Sequence, residues 1–299
     1  MKKTAHEQKP AHTSAPQITS RHNPLVQRAR AARTGRAPGL IFIEGLRLCA
    51  EAVAAGLEIE CALYTERIET DERGASLLAT IASSGVRAFA LSEDVLAFVA
   101  DTKTPQGIVL LAQRPRADEH TLAAAQPAVP LVVILHGVNN PANAGAMLRV
   151  AEAAGATGVI ATAGTTDLLA PKALRGAMGS AFRLPLWLGA QLPAALAWCA
   201  ARNIITVATD LAATETHTDL DWTTPRAVIM GAEAGGLSAT DTAAAALRVR
   251  IPMRPPVESL NVATALAVIL YEAERQRAES RRQKAEGRRR KPEEESGRG

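Results

Sequence analysis

The sequence predicts an α/β protein in two units, the second built on a parallel sheet, and three observations carry that expectation. Short β-prone runs alternate with helix-spaced segments through most of the 299 residues. Several runs, such as Leu-Val-Val-Ile-Leu at 131–135, are apolar without a break, as suits a strand buried on both faces. A stretch rich in Pro, Ala and mixed charge at 114–130 then interrupts the alternation. A composition of 47% hydrophobic, 21% charged and 3% aromatic residues is ordinary for a globular chain. No uncharged apolar run approaches the roughly 18–20 residues of a bilayer span, and the first 30 residues hold no apolar stretch of secretory type. A cytoplasmic protein is expected.

Residues 1–20 are polar, aperiodic and carry two prolines, so disorder is expected there. Residues 24–37 are Arg/Ala-rich and suit a helix, and 40–43 a strand. Leu46, Cys49, Ala50 and Val53 recur at helical spacing before Gly56, a C-cap candidate. A strand at 61–64, a helix at 75–83, a strand at 86–90, a helix from Glu93 and a strand at 108–112 complete a first unit at 21–114. Residues 115–130 read as a linker. The second unit, 131–278, has predicted strands at 131–135, 158–161, 204–208, 227–230 and 247–251, with helices between them. In such sheets ligands bind beyond the carboxyl ends of the strands, which directs attention to the loops after Leu135, Met230 and Ile251.

The net charge of +4 conceals a division. Residues 1–36 carry eight Lys/Arg against one acid and 275–299 ten against five, leaving the body acidic by eight charges. Basic ends suit polyanion contact or simple solvation; 279–299 is read as a second disordered tail. Cys49, Cys61 and Cys199 form no C-x-x-C pair and read as buried small residues. The six histidines have no metal-ligand spacing, so no metal is expected, and the three dispersed tryptophans read as core.

The first loop and its helix read His136-Gly137-Val138-Asn139-Asn140-Pro141-Ala142-Asn143-Ala144-Gly145-Ala146-Met147-Leu148-Arg149. Asn140 before Pro141, or Asn143 itself, can cap this helix; Arg149 lies off its apolar stripe. The second, Met230-Gly231-Ala232-Glu233-Ala234-Gly235-Gly236-Leu237, places an acid among glycines that admit a ligand close to backbone. The third, Ile251-Pro252-Met253-Arg254-Pro255-Pro256-Val257-Glu258-Ser259-Leu260-Asn261-Val262, is stiffened by prolines, and Ser259 or Asn261 can cap the amphipathic helix that follows. Neither G-x-G-x-x-G nor a Walker loop occurs, which weakens a nucleotide-dependent oxidoreductase reading.

Taken in order, these segments resemble the signature motifs of the SpoU/TrmH family of RNA ribose 2′-O-methyltransferases, of the SPOUT class. N-P-x-N-x-G-x-x-x-R-x-A falls at 140–151, M-G-x-E-x-x-G-L at 230–237, and I-P-M followed by S-L-N-V-A at 251–263. The segment at 175–185 is similar to the family's A-S-x-G-A-x-F-x-L-P, except that Ala177 stands for the usual Ser and Ser180 for the usual Ala. Ser20-Arg21-His22-Asn23-Pro24-Leu25 and Phe42-Ile43-Glu44-Gly45 resemble the family's smaller RNA-recognition domain, itself similar to ribosomal proteins.

The resemblance covers about residues 20–275 and implies a trefoil-knotted methyltransferase domain, an exception to the rule against threading. It also implies a homodimer and S-adenosylmethionine held near Thr209, Gly231, Ile251, Met253 and Leu260. The catalytic set it implies is Asn143, Arg149, Glu233, Ser259 and Asn261. A guanidinium rarely loses its proton, so Arg149 is better cast as a clamp on phosphate and nascent alkoxide than as a base. Ribosomal RNA is favoured over transfer RNA as substrate; the remaining alternative is an RNA-binding protein without catalysis.

Overall fold

The computed structural model describes residues 17–233 and 235–296, with side chains through residue 286. Of the tail expected at 1–20, residues 1–16 lie outside the described residues, as do the last three residues of the chain. The chain divides into two compact units, one running through Val53 and over Glu58–Gln113, the other comprising Ala54–Leu57 and the chain from Arg114 on.

In the first unit α1 (Pro24–Arg33) starts where Asn23 caps it by accepting from Leu25 N, with Pro24 in the first turn. Then come β1 (Leu40–Glu44), α2 (Leu46–Ala54), β2 (Ile59–Tyr64), α3 (Arg67–Thr70), α4 (Glu72–Ser83), β3 (Arg87–Ala90), α5 (Glu93–Val99) and β4 (Ile108–Gln113). The sheet order is β1-β4-β2-β3, with β4 antiparallel to both neighbours and β2 parallel to β3. Val26, Phe42, Leu63, Leu96 and Leu111 pack as one core. Order begins earlier than expected: Ile18 bridges to Leu91 and packs on this core, because its backbone donates to Ala90 O at 2.8 Å and accepts from Ser92 N at 3.1 Å.

The second unit contains α6 (Glu119–Ala124), β5 (Leu131–Leu135), α7 (Pro141–Ala153), β6 (Gly158–Thr162), α8 (Pro171–Ala177), α9 (Ser180–Arg183), β7 (Leu186–Ala190) and α10 (Leu192–Ala200). It continues with β8 (Ile205–Thr209), β9 (Arg226–Met230), α11 (Ala239–Ala244), β10 (Leu247–Val249) and α12 (Val262–Ser296). Its six strands are all parallel, in the order β10-β8-β9-β5-β6-β7. The central strands β5, β6 and β9 are buried at every position, as covering on both faces requires.

Three local expectations change. Within the stretch read as a linker, Asp118 caps α6 by accepting from Thr121 N at 2.8 Å, and Leu122 is buried in the core of the second unit. Strand β7 was absent from the sequence reading. The 279–299 stretch, expected to be disordered, continues α12 as far as Ser296. That helix is anchored earlier in its course by the half-buried Arg277. Its guanidinium donates to the carbonyl oxygens of Trp222 at 2.8 Å, Val129 at 3.1 Å, Pro130 at 3.0 Å and Thr224 at 3.1 Å.

All three cysteines are buried and free, and burial pushes the Cys61 thiol up to about 11 and that of Cys199 to about 12. Trp198 and Trp222 are core residues, as expected, while Trp187 is half-buried against Trp198. Among the described residues no helix is long and apolar enough to cross a membrane.

Candidate active site

The site is assembled from the ends of β5, β8, β9 and β10. On leaving β5, the chain turns through Asn140, whose side chain accepts from Ala142 N at 2.9 Å and so caps α7, with Pro141 in the first turn. Asn140 being the cap, Asn143 is released for other contacts. Gly145, one helical turn into α7, meets α8 backbone to backbone: a Cβ there would lie 2.3 Å from Ala173 O. The G-x-x-x-R spacing thus has a packing origin on its glycine side.

Beyond β9, Gly231 lets the loop fold back on itself, since a Cβ would fall 2.3 Å from the Gly236 carbonyl carbon. The turn presents Glu233 to the first loop. Its carboxylate accepts from Asn143 Nδ2 at 3.1 Å, Asn140 N at 3.3 Å and Asn139 N at 3.4 Å. Partial burial alone would raise the Glu233 pKa; the Asn143 amide and the backbone N–H groups outweigh it and hold the carboxyl below the usual carboxylate range. Glu233 is therefore a fixed anion.

The third segment joins through Asn261. Its Oδ1 caps α12 by accepting from Ala263 N at 3.0 Å and Thr264 N at 3.4 Å, while its Nδ2 donates to Asn143 Oδ1 at 3.1 Å. Asn143 is the middle member of a chain running Asn261 to Asn143 to Glu233, which ties together segments about 90 and 118 residues apart in sequence. An amide suits that place because it donates and accepts at once.

Next to this chain lies a cavity of about 680 Å³, within the range of small-molecule sites. Asn143, Thr209, Gly231, Glu233, Ile251, Met253, Ser259, Leu260 and Asn261 all line it, so nine of the ten expected site residues converge. Thr209 is steadied by donating to Ile229 O at 3.2 Å. Sequence reading missed Asp210 and Leu211, which follow Thr209 at the end of β8 and also line the cavity; the signal was a polar-apolar pair just past a strand end. Leu211 and Leu260 expose 65% and 37% of their surface, an apolar lining with no cover.

Arg149 is the exception. It is exposed on α7, has no hydrogen bond or ion pair among the described residues, and does not line the cavity. Six residues beyond Asn143, it stands about 9 Å along the helix and roughly a third of a turn around it. His136 also faces elsewhere: Nδ1 lies 2.9 Å from Thr162 Oγ1 and Nε2 lies 3.4 Å from Asp241. Among the described residues no cluster of three or more His, Cys, Asp or Glu is placed to hold a metal ion.

Comparison with known proteins agrees with this geometry. Residues 130–271 match the SpoU rRNA Methylase family and residues 26–110 the MRM3-like substrate binding domain. A protein of Synechocystis, named as an uncharacterized tRNA/rRNA methyltransferase, is 34% identical over 87% of this chain and 94% of its own. The 23S rRNA (guanosine(2553)-2′-O)-methyltransferase RlmP of Bacillus subtilis is 32% identical over 77% of this chain and 86% of its own. The crystal structure of the SpoU methyltransferase AviRb from Streptomyces viridochromogenes, in complex with AdoMet, superposes with a TM-score of 0.76 at 28% identity, covering 86% of this chain and 100% of that one. With its three motif segments joined through Asn143 and relatives matched over nearly their full length, this chain belongs to the SpoU rRNA methylase family.

Proposed function

We propose that this protein transfers a methyl group from S-adenosylmethionine to a ribose 2′-hydroxyl of ribosomal RNA. The observation that carries the reading is the Asn261–Asn143–Glu233 chain on the wall of the cavity. The lining fits the cofactor: Leu211 and Leu260 offer apolar surface to an adenosyl group, and the carboxylates of Asp210 and Glu233 offset a sulfonium charge. The relatives support the substrate, since RlmP and RlmB are named as 2′-O-methyltransferases of 23S rRNA.

In this reading Thr209, Gly231, Ile251, Met253 and Leu260 hold the cofactor, which when bound supplies an electrophilic methyl group. The protein has then to align a hydroxyl with that methyl and to stabilise charge developing on the oxygen as the hydroxyl proton leaves to water. Asn143, held from both sides by Glu233 and Asn261, fixes the wall against which the ribose lies, and Ser259 offers it a hydroxyl. Arg149 grips a phosphate of the bound strand from outside the cavity and draws its charge toward the reacting oxygen. A trefoil knot in the second unit, an N-terminal unit similar to ribosomal proteins, a homodimer and a cytoplasmic setting belong to the same proposal, resting on family membership. Mapping ribose methylation across ribosomal and transfer RNA in cells with and without the gene tests the assignment: one mark lost from ribosomal RNA is expected, and an unchanged ribosomal map overturns it.

A further inference from the structure

We infer that Arg183, on α9, is a positioning residue for methyl transfer: it engages the Glu152 carboxylate on α7 and so keeps the neighbouring Arg149 guanidinium unpaired for a phosphate of the bound strand. The inference deepens the methyl-transfer reading above and rests on its assignment of Arg149 to that phosphate.

An arginine serves an anion only if no carboxylate of its own chain takes the anion's place. From Gly145 to Ala153, α7 holds one charged residue besides Arg149, and it is an acid, Glu152. Three positions apart, the two stand about 4.5 Å from each other along the helix axis, a spacing at which opposite charges pair. Gly145, Arg149 and Glu152 lie on one stripe of α7 by their spacing of four and three, and the stripe begins where Gly145 meets the α8 backbone. Arg149 nevertheless has no ion pair among the described residues.

The reason is that Glu152 is already engaged. Arg183 Nε donates to its Oε1 at 2.5 Å and Nη2 to its Oε2 at 2.9 Å, a two-pronged arrangement that occupies both carboxylate oxygens. The hydroxyl of Ser180, a residue only 2% exposed, donates to the same carboxylate. The bonds from Arg183 outweigh partial burial and hold the Glu152 carboxyl below the usual carboxylate range. Glu152 is thus an anion at neutral pH, and without Arg183 its nearest cation along α7 is Arg149. The backbone is shaped to deliver Arg183: between α8 and α9 the chain turns through Met178 and Gly179, at φ 50° and 96°, and α9 comes to lie against α7. A left-handed methionine is sterically unfavourable and persists only where the surrounding packing imposes it. The serine at 180, where the family segment usually has alanine, is accounted for by the same carboxylate.

The test is single-turnover methyl transfer to ribosomal RNA transcribed in vitro, by the full chain and below RNA saturation, at about 50 and 200 mM salt. Cofactor affinity and Tm are measured in parallel. In Arg183→Ala the released Glu152 competes for Arg149, so the rate should fall about three- to fivefold at the lower salt, the scale of an exposed ion pair. The loss should shrink at the higher salt, with cofactor affinity unchanged. Adding Glu152→Gln to Arg183→Ala should restore the rate to within about twofold of wild type without restoring the Tm. Arg183→Lys should lose less than Arg183→Ala, because lysine keeps the charge opposite Glu152 but not the fork. An Arg183→Ala variant as fast as wild type overturns the inference. A double variant no faster than the single one, or a loss indifferent to salt, also overturns it, because either result assigns the pair to packing of α9 alone. Full turnover by Arg149→Ala is a separate failure, which removes the phosphate reading on which the inference rests.

Discussion

Replacing Glu233 by Gln isolates the contribution of a fixed anion at the junction of the three segments. In the native protein Oε1 accepts from both Asn143 Nδ2 at 3.1 Å and Asn140 N at 3.3 Å, and Oε2 from Asn139 N at 3.4 Å. Glutamine keeps one acceptor oxygen and turns an NH₂ group toward the Asn139 N–H, setting donor against donor. One long hydrogen bond is lost and two bonds to a charged acceptor become neutral. Because Glu233 is exposed, water relieves part of the deficit, which places the cost at about 1–2 kcal/mol, the lower part of the range for charged hydrogen bonds. In a domain of this size that corresponds to a Tm fall of roughly 2–8 °C. At 25 °C the protein stays folded, yet the bond that anchors Asn143 to residue 233 loses its charge assistance, and methyl transfer should fall at least about tenfold as alignment loosens. The assay is single-turnover transfer of labelled methyl to ribosomal RNA, with cofactor affinity by calorimetry. Turnover within twofold of wild type, with the Tm shift present, would refute the argument that this hydrogen-bond chain positions the reacting groups.

Three further outcomes are expected. Arg277→Ala leaves four backbone carbonyls without their donor at a half-buried position, so stability should drop by about 1–3 kcal/mol for each carbonyl that water does not reach, read as a downward shift in the denaturation midpoint with cofactor affinity retained at low temperature. Arg149→Ala should abolish methyl transfer while leaving cofactor affinity nearly intact, and Arg149→Lys should recover only part, because lysine keeps the charge but not the planar fork; full turnover in the alanine variant would remove this arginine from the mechanism. The hydrogen bond from Arg275 holds the Glu272 carboxyl down to about 2, from an ordinary value of 4.5. A depressed folded-state pKa stabilises fully above the ordinary value and loses that contribution as pH falls from about 4.5 toward 2, so Glu272→Gln should flatten the stability profile in that window by up to one proton, measured by denaturant titration at stepped pH.

The alternation of strands and helices was readable wherever a run was long or wholly apolar, as at 131–135 and 227–230. It failed at β7, a five-residue edge strand, Leu-Trp-Leu-Gly-Ala, whose glycine at 189 and preceding Pro185 look like turn chemistry, and whose Trp187 has no period to declare itself. It failed at α6 because alanine and proline composition outweighed the Asp118 cap and a single buried leucine. The three site loops were legible because each breaks the apolar pattern just past a strand end with Asn, Gly or Pro. Which asparagine capped α7 was not legible: Asn140 and Asn143 are equivalent as caps on paper, and only the chain path decides it. Arg149 marks the other limit, since motif spacing names a residue without fixing the direction in which a helix presents it.

The most direct measurement is the alkaline hydrolysis of ribosomal RNA incubated with the protein and methyl-labelled S-adenosylmethionine. A methylated 2′-oxygen cannot attack its own phosphate, so the label should appear in an alkali-stable dinucleotide and vanish when Asn143 is replaced by alanine. Label recovered in mononucleotides, or no label at all with the cofactor bound, would contradict the assignment of this cavity to ribose methylation.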